Sequence, residues 1–92
     1  MSDWLINVNE NQYRDDKYRV SVSNSESLEI VKLGVGNMGS GAYGLLPKQV
    51  AESLATDISD SINLTEYDSL TDELRAQLYQ LEETHIDQYN EN

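Results

Sequence analysis

Trp4, Ile6 and Val8 alternate with Leu5 and Asn7, a two-residue period that predicts a short strand. Residues 9–16 are polar and predict a loop. Tyr18, Val20 and Val22 then alternate with Arg19, Ser21 and Ser23, the clearest half-buried strand in the chain. Asn24, Ser25, Glu26 and Ser27 predict a turn, because short polar side chains satisfy local backbone groups. From 28 to 35 both alternating sets are apolar: Leu28 and Ile30 on one, Val31, Leu33 and Val35 on the other. That pattern predicts a central strand covered on both sides, or one broken by a bulge. A short helix capped by Ser25 is disfavoured by the β-branched residues.

All five glycines fall between 34 and 44, which predicts a loop, since glycine is costly inside regular elements. Pro47 suits the first position of a helix. Ala51, Leu54, Ala55, Ile58 and Ile62 follow at helical spacing, enough for about four turns. Residues 63–68 connect. Ser69 or Thr71 caps a second helix, with Asp72 three residues after Ser69 as in a capping box. Its apolar stripe runs through Leu70, Leu74, Leu78 and Leu81 to His85 or Ile86, and Tyr89. The predicted class is α+β: a three-stranded antiparallel meander covered on one face by two C-terminal helices. One domain spans 1–92, with strands mainly in 1–35, a glycine-rich loop at 36–46 and two acidic amphipathic helices in 47–89.

Charge sharpens this picture. Seventeen acids against six bases give a net charge of −11, and the distribution is uneven. Residues 50–92 hold eleven carboxylates and one base, Arg75, whereas the first 49 residues hold six acids and five bases. Exposed helical faces ordinarily mix signs, because Glu–Lys pairs four apart each add about 0.2–0.5 kcal/mol. The near-absence of such pairs points to a surface kept acidic for a basic partner. The acids that would form it are Glu52, Asp57, Asp60, Glu66, Asp68, Asp72, Glu73, Glu82, Glu83 and Asp87. Acids three or four apart on a helix lie about 5–6 Å apart along its axis, on the scale of successive phosphates of a nucleic-acid strand. Arg and Lys side chains that clamp phosphates accept carboxylates equally well. The same acidity argues against direct binding of nucleic acid or of anionic membranes.

Other chemistry finds little support. The chain has no cysteine, so disulfides and thiolate metal sites are excluded. Nothing resembles a signal peptide or a membrane span, and a soluble protein of the cytoplasm, in a bacterial host cell, is expected. Gly34-Val35-Gly36-Asn37-Met38-Gly39 spells G-x-G-x-x-G, but a dinucleotide site needs a helix opening at those glycines, and the predicted helix begins near Pro47. Met38 and Tyr43, at the tip of the predicted loop, could touch a partner. Asp57, Asp60, Glu66, Asp68 and Asp72 lack the alternating ligands and sixth-position glycine of a calcium loop. His85 has no nucleophile or orienting acid beside it in sequence, and is expected as a partly exposed histidine near a helix C-terminus. No catalytic residue, cofactor or metal is expected. Tyr67 and Tyr79, within the acidic half, suit a protein contact or the edge of a small core.

Small size, strong acidity, absent cysteine and carboxylates presented from helices over 50–87 together resemble the phage-encoded DNA-mimic proteins, including anti-restriction and anti-CRISPR proteins. The resemblance implies a non-enzymatic inhibitor. It would occupy the nucleic-acid site of a prokaryotic defence protein (a CRISPR-Cas effector or restriction enzyme) or of a nucleoid protein. Arg14, Lys17, Arg19 and Lys32 depart from a fully acidic mimic and leave the helical face to carry it. Immunity or antitoxin-type proteins that neutralise basic nuclease toxins fit the same electrostatics, as does an acidic structural or adaptor protein. A homodimer would extend the charge array.

Overall fold

The computed structural model of the chain describes residues 3–11, 14–38 and 41–90. Strands β1 (Trp4–Asn11), β2 (Arg14–Asn24) and β3 (Glu29–Leu33) form an antiparallel sheet in the order β1-β2-β3, the expected meander. Register sets its apolar face in rows: Ile6–Val22–Val31, then Val8–Val20–Leu33. Helices α1 (Lys48–Ser61) and α2 (Asp72–Asn90) cover that face. Ala51, Leu54 and Ile58 of α1 and Leu74 and Leu78 of α2 are fully buried against Val20, Val22 and Leu33.

Several local expectations give way to longer-range pairing. The predicted loop at 9–16 is mostly strand, because β1 runs to Asn11 and β2 starts at Arg14. Ladder hydrogen bonds hold this ribbon where side-chain pattern gives no signal, and its register shifts at Glu10/Asn11. β3 is an edge strand rather than a central one. Val31 and Leu33 are buried, while Leu28 and Ile30 stay 87% and 51% exposed, so one of its two apolar sets faces solvent. Along α2 the stripe holds through Leu78, is partly buried at Leu81, His85 and Ile86, and is exposed at Tyr89.

The glycine-rich segment expected as a loop at 36–46 is a second sheet. Strands β4 (Val35–Met38) and β5 (Gly41–Gly44) pair antiparallel. Gly34, at φ +70°, turns the chain out of β3 and into this hairpin. A side chain at Gly44 would overlap the backbone of Tyr18 and Arg19, so the close approach of β5 to β2 needs glycine. Asn11 seals the contact by donating from Nδ2 to the Gly44 carbonyl at 3.0 Å. Leu46 then takes the position beside β2 that β3 vacates: the Tyr18 N–H donates to its carbonyl at 2.7 Å, and the Tyr18 carbonyl accepts its N–H at 3.0 Å. The glycines thus permit close backbone packing here. The side chains of Met38 and Tyr43 lie outside what the structure describes. Pro47 precedes α1 as its N-cap, with extended ψ, one position earlier than expected, and its carbonyl accepts the Ala51 N–H at 3.0 Å.

Candidate acidic interface

The segment between the helices carries the start of the acidic face, and each strand of the meander fastens it. Trp4 of β1 donates from Nε1 to the Tyr67 carbonyl at 3.0 Å. Asn24 of β2, 1% exposed, donates from Nδ2 to the Asp68 carbonyl at 3.3 Å. Its Oδ1 accepts the N–H groups of Glu26 and Ser27 at 2.8 and 3.1 Å, which builds the β2–β3 turn. Glu29 of β3 accepts the Leu70 N–H at 3.1 Å. That bond, then Ser27 and the Arg75 guanidinium, hold the Glu29 carboxyl below its usual pKa. Two residues later α2 begins, and Thr71 is its cap: the Leu74 N–H donates to Thr71 Oγ1 at 3.1 Å. Ser69 leaves this role to Thr71.

Along α2 the outward stripe reads Asp72, Ala76, Tyr79, Glu83 and Asp87, with Glu73 beside it, all exposed. Tyr79 is 46% exposed, an aromatic among carboxylates. The stripe spans about 22 Å of helix. Arg75, the single base of 50–92, does not interrupt it; its Nη2 lies 3.9 Å from Glu29, toward β3. On α1, Glu52 and Asp60 are exposed and line a shallow surface with Ser53, Thr56 and Asp57. Glu66, in a 3-10 turn (Leu64–Glu66), and Asp68 are exposed in the connection; Glu66 accepts from Asn63 Nδ2 at 3.3 Å.

Two of the ten expected acids are half-buried and bind across the fold. Glu82 turns under α2 and accepts the Gly34 N–H at 2.6 Å, which ties the helix to the strand switch. Asp57 accepts the Ser61 hydroxyl at 2.7 Å and lies 2.9 Å from His85 Nε2. Ser61 first and His85 second lower the Asp57 pKa. His85 lies near the C-terminal end of α2 and partly exposed, as expected, with its side chain 14% exposed, and it also links α2 to α1. Tyr67 is half-buried, and its hydroxyl accepts from Gln77 Nε2 at 2.9 Å. Eight acids remain turned outward on the helical layer: Glu52, Asp60, Glu66, Asp68, Asp72, Glu73, Glu83 and Asp87.

The opposite face of the sheet differs in character. Leu5, Ser23 and Ile30 form one row across it, and Asn7, Ser21 and Lys32 the next. Leu5 is 55% exposed, and sequence patterning missed it because it occupies the polar phase of β1. Where the G-x-G-x-x-G run would need a helix, Val35–Met38 is a strand, so no helix terminus meets those glycines. Among the described residues no cluster of three or more His, Cys, Asp or Glu could hold a metal ion, and no helix is long and apolar enough to cross a membrane. No protein-family model, curated protein or solved structure matches the chain.

Proposed function

We propose that this chain is a non-enzymatic inhibitor whose helical face stands in for nucleic-acid phosphates. It would occupy the basic DNA- or RNA-binding surface of a prokaryotic defence protein, a CRISPR-Cas effector or restriction enzyme, or of a nucleoid protein, in the cytoplasm of a bacterial host cell. The observation that carries this reading is the base-free outer stripe of α2, where Asp72, Glu83 and Asp87 flank the exposed Tyr79 while Arg75 is drawn aside to Glu29. Glu83 and Asp87, four residues apart, offer Arg and Lys clamps charged acceptors about 6 Å apart, with Asp72 and Glu73 about 15 Å further along the helix, and the tyrosine between them adds aromatic contact area. Electrostatic steering would speed association, and affinity would fall as salt rises.

The test is capture from nuclease-treated bacterial lysate, followed by competition between the recovered protein's nucleic acid and this chain. The variant Asp72→Lys, Glu73→Lys, Glu83→Lys, Asp87→Lys spares Glu82 and Asp57, so it retains the internal hydrogen bonds. Loss of binding in that folded variant is the expected result. Undiminished affinity would reject the helical-face reading, and recovery of one cognate nuclease toxin would replace it with immunity.

A further inference from the structure

We infer that the outer edge of β1 is a self-association surface, on which two copies join their sheets in antiparallel fashion about a two-fold axis. β1 ends the sheet, and no described segment pairs with its outer side. Which groups face outward follows from the ladder. The Asp3 carbonyl accepts the Ser25 N–H at 3.0 Å, and on β2 Tyr18 directs both backbone groups away from β1 to Leu46. Odd-numbered residues of β1 therefore bond to β2, and Trp4, Ile6 and Val8 present their N–H and C=O groups to the open side. Edge strands are ordinarily blunted by lysine, proline or an inward-pointing charge. Residues 4–9 contain none of these and no charged residue at all.

The side chains on the same residues also lack cover. Trp4, Ile6 and Val8 point to the core face yet remain partly exposed. Beside them runs an open groove of about 540 Å³, where Trp4, Ile6, Ile62 and Leu64 alternate with the polar side of residues 59–65, Asp60 being its one charged residue. A second β1 satisfies both needs. Pairing Ile6 with its own copy and Trp4 with Val8 joins the outward backbone groups, and it aims each copy's Ile6 and Val8 at the other's groove. The outer face then sets Leu5 against Asn7.

The occupant is a second copy because of charge. At −11 per chain two molecules repel, and the stretch 4–9, uncharged and able to pair with itself about Ile6, lets two copies meet without setting carboxylate against carboxylate. The product would be a six-stranded sheet with four helices on one face. This inference stands apart from the phosphate-mimic reading, and salt separates the two: self-association strengthens as salt screens repulsion, whereas capture of a basic partner weakens.

Because the chain has no cysteine, single substitutions report the register directly. Ile6→Cys places two sulfurs across the two-fold axis, where paired Cα atoms lie about 5.5 Å apart, within disulfide range. Asn7→Cys does not oppose itself. Mild oxidation at raised salt should cross-link Ile6→Cys into dimers and leave Asn7→Cys monomeric. On the unmodified chain, sedimentation should show dimer growing with concentration and salt, and the Ile6 and Val8 amides should gain exchange protection in step. A chain monomeric at millimolar concentration and high salt overturns the inference. So does a dimer in which Asn7→Cys links as readily as Ile6→Cys, or in which the Ile6 and Val8 amides stay unprotected.

Discussion

Leu28 breaks two rules at once: it is a large apolar residue 87% exposed, and it holds a positive φ of 59°. The left-handed region is costly for any residue with a Cβ and cheap for glycine. Leu28→Gly is therefore expected to raise stability by about 0.5–1 kcal/mol in denaturant unfolding, since little packing is lost. Glu29, the next residue, gives a pH signature. Its folded pKa lies below the ordinary value of 4.5, so its contribution is complete above that value and is lost as pH falls through the lowered one. The stability gap between the parent chain and Glu29→Gln should be constant near neutrality and close in acid, below pH 4.5. A gap that persists at low pH would show that the charge is not what Leu70 N–H and Arg75 recognise. Neither residue announced itself in sequence: Leu28 looked like the start of a strand, and Glu29 fell within that strand with no role of its own.

At the scale of elements, α2 depends on contacts at two points of its length. Thr71 caps its first turn, and Thr71→Ala should cost about 1 kcal/mol. Glu82 fastens its middle to Gly34, so Glu82→Ala should cost about 1–3 kcal/mol by leaving that N–H without its charged acceptor. Exchange of the Gly34 amide should speed in Glu82→Ala and stay unchanged in Thr71→Ala, which separates the two causes. The existence and class of both helices were legible from 3.6-residue periodicity alone. The β4–β5 hairpin was not, since glycine carries no side-chain pattern and the pairing rests on backbone bonds and on the approach of Gly44 to Tyr18.

Across the whole molecule, acids outnumber bases nearly three to one, and the helical layer carries most of the excess. Screening should therefore raise the thermal midpoint by several degrees between low and moderate salt, with no change in fold by circular dichroism. A midpoint indifferent to salt would mean that the acids are spaced too widely to repel. The sheet's other face, with Leu5, Ile30 and Lys32, is electrostatically distinct from the helical layer, so the molecule is two-sided.

Sequence alone determined the three-strand meander, the two helices and the location of the acids on them, because periods of two and 3.6 residues are local properties of the chain. It also determined the scarcity of cations there, since residues 50–92 hold one base, Arg75. Tertiary structure decided which acids are drawn into the fold. Asp57 meets His85 across 28 positions and Glu82 meets Gly34 across 48, and no local pattern encodes contacts at such separations. It decided, too, that β1 lies at the rim of its sheet with unpaired backbone groups. Strand order depends on which surfaces the helices cover once the chain has closed on itself.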